Sequence, residues 1–161
     1  MSHQSTGVML RPVVPEDLPI IFEHERDPVA IQMAAFAPPD PDDRQAFEAH
    51  WAKMLGSPEI IVRTVLLDGR VVGHVACFPM DGNVDVTYWI DRACWGQGVA
   101  TRALQAFLEE VDIRPLRGRV VTDNVGSRRV LEKCGFEVVG KDRGFAHGRG
   151  CEVDELVLSL V

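Results

Sequence analysis

The sequence lacks most of what would mark a specialised class of protein. No apolar run approaches the roughly 20 residues that a membrane span needs, and the polar start MSHQSTG has neither the basic nor the apolar region of a secretory signal. Only four cysteines occur, at 77, 94, 134 and 151, with no CxxC pair. That pattern points to reduced thiols in a cytoplasmic protein, not to a disulfide framework. Basic residues are also scarce: 17 Lys and Arg against 24 Asp and Glu give a net charge of −7. A non-specific nucleic-acid or anionic-membrane binder would need the opposite balance. There is no internal repeat and no low-complexity tract. What remains is an ordinary globular composition, 46% apolar and 25% charged, over 161 residues. This is the size of one domain with a substantial core, expected to span 1–161 with residues 1–7 flexible.

The hydrophobic periods give the order of elements. Val8 to Val14 reads as a strand. Pro15-Glu16-Asp17 opens a helix with Leu18, Ile21 and Phe22 on one face. A short helix is expected from Val29 to Ala35, then a loop at the proline-rich 38–41. A longer helix follows from Asp42 to Leu55, with Phe47, Trp51 and Leu55 every four residues, Met54 beside them, and Gly56 at a left-handed cap position. The period then shortens. Residues 60–67 and 70–78 are strands joined by Asp68-Gly69, a strong two-residue hairpin signal, and Asp81-Gly82-Asn83 turns into a third strand at 84–90. A helix over 98–112 carries a broad stripe of Val99, Ala100, Ala103, Leu104, Phe107, Leu108 and Val111. Strand 117–122, helix 124–134 capped by Gly135, and strands 136–140 and 152–161 complete the chain. The strand–helix–strand unit over 84–122 makes its two strands parallel and right-handed in connection. The fold class is therefore mixed α+β: one mostly antiparallel sheet with one parallel pair, and helices around it.

Gly96 and Gly98 lie where a strand passes into a helix. The first helical N–H groups have no intrahelical partner there, and the dipole is positive. Without a Cβ, the backbone can approach a ligand closely. Such a loop suits a pyrophosphate, with Arg92, Arg102, Arg129 and Lys133 near in sequence. Two spaced glycines equally serve a plain turn. The loop has no GxxxxGK[ST] and no third glycine, which speaks against a P-loop nucleotide or a dinucleotide.

Three blocks together resemble a known family: Tyr88-Trp89-Ile90, Trp95-Gly96-Gln97-Gly98-Val99-Ala100-Thr101, and Asn124 through Phe136 with Ser127 inside it. They are similar to the GCN5-related N-acetyltransferases (GNAT), in particular the ribosomal-protein N-acetyltransferase branch. The resemblance implies acetyl-CoA as the acetyl donor. It implies that the backbone of Gln97, Gly98, Val99, Ala100 and Thr101 holds the pyrophosphate, and that the strand carrying Trp89 and Ile90 pairs with the pantetheine arm. Asn124 and the nearby Arg129 would contact CoA, and Ser127 would protonate the departing thiol. Trp95 stands where the family loop often begins with Arg or Gln, so the hold at that position falls to the backbone.

Transfer of acetyl to an amine needs an uncharged nucleophile, and neutralising a lysine-type amine at pH 7 costs roughly 4–5 kcal/mol. A base must take that proton. Asp85 is the candidate, because relatives often carry Glu at its position; its alternative is a solvated carboxylate on the polar face of a strand. His74 is second, its ordinary pKa suiting proton transfer, with a packing role as its alternative. Ser127 shares a helix face with Asn124, and capping the helix is its other reading. Cys134 precedes the capping Gly135, as a buried structural thiol would, so direct transfer in a ternary complex is expected. No metal is expected: His74 and Cys77 would face opposite sides of a strand, and His147 stands alone in its loop. The acceptor is a small-molecule or peptide amine, taken beside residues 15–55 and 141–152, by a monomer or homodimer. A CoA-binding sensor of the same fold is the competing class, and a pyrophosphate-nucleotide binder the third.

Overall fold

The computed structural model describes residues 7–161. The expectation for the amino terminus lies outside the described residues except at Gly7, whose carbonyl accepts from the Asp68 N–H.

Seven strands form one sheet, β1 (Val8–Pro12), β2 (Ile61–Leu67), β3 (Arg70–Met80), β4 (Asn83–Ile90), β5 (Leu116–Val121), β6 (Glu137–Ala146) and β7 (Cys151–Leu160), in the order β1-β2-β3-β4-β5-β7-β6. All neighbours are antiparallel except β4 and β5. The β2–β3 turn has positive φ at both Asp68 and Gly69, as a hairpin turn matched to the strand twist requires. Helices α1 (Leu18–Glu25), α2 (Pro28–Ala34) and α3 (Arg44–Gly56) cover one face, while α4 (Val99–Glu110) and α5 (Val125–Lys133) pack into the main core on the other.

That main core joins the inward stripe of α4 to alternate residues of the sheet: Val99, Ala103, Leu104 and Phe107 against Val75, Val86, Ile90, Leu116 and Val120. Each large side chain removed from water here contributes about 1.5–3 kcal/mol. Under the other face, Ile21 and Trp51 pack on Val62 and Ala76, and Ala35 meets Val121 and Ala146.

The departures from expectation have local causes. β1 stops at Pro12, because the Val14 N–H turns away to Asp17 Oδ2, 3.0 Å. In α3, Met54 packs inward while Leu55 is 44% exposed. At about 100° per residue, Met54 falls about 20° from Phe47 around the helix and Leu55 about 80°. Gly56 closes α3 without a left-handed conformation, whereas Gly135 after α5 has φ +97. β6 continues to Ala146, so residues 141–146 are strand and only 147–150 form the loop.

Candidate functional site

The parallel ladder between β4 and β5 consists of a single register pair, Asp85↔Arg117. Beyond it β4 runs on to Ile90 paired only with β3, so one backbone edge of the strand borders an opening in the sheet. Tyr88 lies along this stretch, on the face shared with Val86 and Ile90. Its hydroxyl stands 2.6 Å from Ser127 Oγ on α5 and 3.2 Å from the Ser127 carbonyl. Burial pushes the Tyr88 hydroxyl up to about 12, although the Ser127 contact works against that rise. At neutral pH the Tyr88 hydroxyl therefore keeps its proton. Tyr88 was visible in sequence only as part of the family block. It is the chain's one tyrosine, a polar tip on an otherwise apolar face, which is the signal that picks it out.

Asn124, not Ser127, caps α5: its Oδ1 accepts from the Ser127 N–H, 3.2 Å. Its amide nitrogen donates to the Met33 carbonyl, 3.2 Å, joining α5 to α2 across the opening. Ser127 is left with its hydroxyl on Tyr88.

At the end of β4 the chain makes a short turn, Arg92–Cys94, and enters the glycine loop. Gly98 is the residue before α4 and has φ +77, a left-handed conformation that disfavours a side chain. The N–H groups of Val99 to Thr101 begin the helix without intrahelical acceptors. Arg102 folds back, donating to the Gln97 carbonyl (2.7 Å) and the Gly98 carbonyl (3.3 Å), which stiffens the loop. Trp95 is exposed, and its indole N–H is taken by the Ile90 carbonyl, 2.9 Å. Trp89 donates its own indole N–H to the His24 carbonyl, 3.1 Å, fixing the end of α1 over β4. Arg92 pairs with Asp27 at 3.0 Å, away from the loop's amides. Arg129 and Lys133 are exposed on α5.

Asp85 is neither solvated nor free. It is 3% exposed, and its oxygens accept from Arg117 Nε (3.0 Å) and Arg119 Nε (3.3 Å). Arg119 also reaches Glu155 at 2.8 Å and Asp142 at 3.0 Å, so charges from four strands meet at this junction. His74 is buried edge-on against Trp51, ring centroids 5.0 Å apart. Burial, with help from His24 and His50, drives it down to about 3, so it stays neutral. Cys134 is half-buried with Sγ 3.8 Å from the Thr101 carbonyl, and burial raises its thiol above the ordinary value. Among the described residues no His, Cys, Asp and Glu cluster could hold a metal ion, and no helix is long and apolar enough to cross a membrane.

The family pattern of the acetyltransferase (GNAT) domain matches residues 8–137. The chain belongs to the GNAT family. Among its GNAT relatives, the probable N-acetyltransferase YjcK of Bacillus subtilis (strain 168) is 30% identical over 102 residues, 58% of this chain and 56% of that protein. The chain thus spans just over half the length of that relative. YdaF of the same organism, a candidate ribosomal N-acetyltransferase, is 25% identical over 125 residues, 73% of this chain and 68% of that one. A solved structure of RimL, a ribosomal L7/L12 alpha-N-protein acetyltransferase in complex with coenzyme A, superposes with TM-score 0.77 at 17% identity, covering 94% of this chain and 93% of that one. These likenesses agree with a GNAT domain.

Proposed function

We propose that this chain is an acetyl-CoA-dependent N-acetyltransferase that moves acetyl directly to a primary amine of a small molecule or a protein N-terminus. The observation that carries the reading is the opening in the sheet beyond Asp85 and Arg117, with the Tyr88–Ser127 hydroxyl pair on its wall and the α4 amide cradle at its end. The cradle fits a pyrophosphate: Gly98 keeps side-chain atoms away from it, and the orphan N–H groups of the first turn point outward. The free edge of β4 along Tyr88 and Ile90, on either side of Trp89, offers backbone hydrogen bonds to an extended amide-bearing arm, and Asn124 and Arg129 lie on the adjoining α5.

When the amine attacks the thioester, the carbon–sulfur bond breaks and the sulfur leaves with its electron pair. Ser127 and Tyr88 share a short hydrogen bond there, so one proton can pass to sulfur while the other hydroxyl restores the donor, and the proton shed by the attacking amine nitrogen, carried by water, makes good the pair. The base expected at Asp85 has a poor claim on that role, because two guanidinium groups already occupy its oxygens. We assign Asp85 to locking β4 onto β5 where the opening begins.

The test is to incubate the protein with acetyl-CoA and a pool of amines and amino-terminal peptides, follow free thiol, and identify the acetylated product by mass spectrometry. Wild type should release thiol only with an acceptor present. Ser127→Ala and Tyr88→Phe should each lower turnover about 10–100-fold, with acetyl-CoA affinity within about twofold of wild type. Tight CoA binding with no acceptor-dependent thiol release would leave the non-catalytic sensor as the better reading.

A further inference from the structure

One half-buried carboxylate is left without any counterpart. Glu25, the last residue of α1, has a side chain only 20% exposed. No described residue donates it a hydrogen bond, and burial alone raises it to about 7. Its nearest polar neighbour is His74 Nε2, 3.7 Å away and beyond hydrogen-bond reach. His74 is itself 6% exposed, its Nδ1 has no partner, and it is held neutral by burial. A neutral imidazole cannot balance the carboxylate.

Glu25 forms part of the wall of a cavity of about 260 Å³ lined also by Pro38, Asp40, Asp43, Phe47 and His50. The titratable groups facing it are His24 on its own helix, His74 on β3, His50 on α3, and Asp40 and Asp43 from the loop entering α3. None of them supplies a positive charge in contact with its oxygens. The cavity beside it, at Asp27 and Asp91, differs in this respect, since Arg92 already pairs with Asp27.

The register places Glu25 over β3, one strand from the β4 edge that borders the opening. His74 sits opposite Trp89 in the β3–β4 register, and Trp89 anchors the end of α1 through His24. Glu25 therefore lies on the α1 face of the sheet at the level of Trp89, while the neighbouring Tyr88 turns its hydroxyl to the opposite face.

We propose that Glu25 is the base that takes the proton from the acceptor's ammonium, and that the cavity beside it receives a small cationic alkyl amine. This rests on the acetyltransferase reading above. The ammonium docks as the missing counter-charge; one N–H proton passes to a Glu25 oxygen and from there to water. The freed lone pair forms the carbon–nitrogen bond; the carbon–sulfur bond breaks and the sulfur takes a proton from the Tyr88–Ser127 pair. The second N–H proton, shed through water as the nitrogen becomes an amide, restores that pair. The apolar walls at Phe47, Pro38 and Pro41 suit the alkyl part.

The experiment compares wild type with Glu25→Gln, using butylamine, which is cationic at pH 7, and 2,2,2-trifluoroethylamine, whose fluorines leave it largely neutral there. Thiol release from acetyl-CoA with butylamine should fall about 100-fold or more in the variant. With the fluorinated amine it should fall less than about tenfold, because no base is then needed. The wild-type kcat/KM for butylamine should also drop below about pH 7, a limb absent from Glu25→Gln. Equal losses on both amines would reduce Glu25 to a structural residue. An unchanged butylamine rate in the variant would overturn the base while leaving the acetyltransferase standing. No acceptor-dependent release by wild type would overturn the acetyltransferase reading, and this role of Glu25 with it.

Discussion

One buried and one half-buried acid show how opposite environments set opposite roles. For Asp17, 2% exposed, burial alone would raise the carboxyl, but donors from Arg11 (2.7 and 2.9 Å), the Val14 N–H and Thr64 Oγ1 (2.7 Å) bring it below its ordinary value. It fastens the turn before α1 to β1 and β2. A group with a lowered folded-state pKa adds stability above its unfolded value near 3.8, and that stability is lost as pH falls through the still lower folded value. Glu25 runs the other way: raised from 4.5 to about 7, it costs stability as pH rises across that window. A residue retained at such a cost fits function better than folding. Asp17→Asn, which strands the Arg11 guanidinium and Thr64, should destabilise the protein by about 2–4 kcal/mol at pH 7. The loss should shrink at pH 3, which lies below the unfolded value near 3.8, so that part of the charge's contribution is already gone. Urea denaturation at both pH values measures this, and an equal loss at each would show that packing, not charge, is what Asp17 supplies.

At the scale of elements, α4 serves two needs with different parts of one sequence. Its stripe fills the main core, while its amino-terminal turn, opened by a left-handed Gly98, presents backbone to solvent. Gly98→Val adds a branched side chain at a φ it tolerates poorly and next to Arg102, which braces the loop. Acetyl-CoA affinity should fall tenfold or more by calorimetry, with a stability loss of about 1–2 kcal/mol that leaves the core intact. Unchanged affinity would defeat the loop as the donor's cradle. This helix also shows what the sequence could reveal. Period, hairpin dipeptides and paired glycines made nearly every element and the α4 loop legible, because each signal is local. The partners of Asp85 were not legible: Arg117 and Arg119 lie 32 and 34 residues downstream and meet it only because β5 returns parallel to β4. Glu25 was invisible for the same reason. It ends a short helix like any surface acid, and its burial comes from residues 38–50 and from β3.

In the molecule as a whole, the sheet separates α4 and α5, on the side proposed for the donor, from α1 to α3, on the side proposed for the acceptor, and transfer as proposed needs the two sides held in register. The tie runs through the carboxyl end of α2. Its orphan carbonyls are taken by groups distant in sequence: Gln32 by Arg149 Nε, Met33 by Asn124 Nδ2, and Ala35 by the Gly148 N–H. Such groups satisfy the helix end that the chain itself leaves open. Arg149 also grips Asp123 with two bonds of 2.9 Å just before α5, so one side chain from the β6–β7 loop joins α2 to the start of the helix that carries Ser127. The net charge of −7 is thus a poor guide to either side, since arginines are spent on internal joints. Arg149→Ala should release α2 while leaving the α4 loop untouched. The expected result is an acceptor KM raised about fivefold or more and a melting temperature lowered by a few degrees, with acetyl-CoA affinity within about twofold of wild type. Equal weakening of donor and acceptor would mean that Arg149 supports the whole sheet and not the alignment of its two sides.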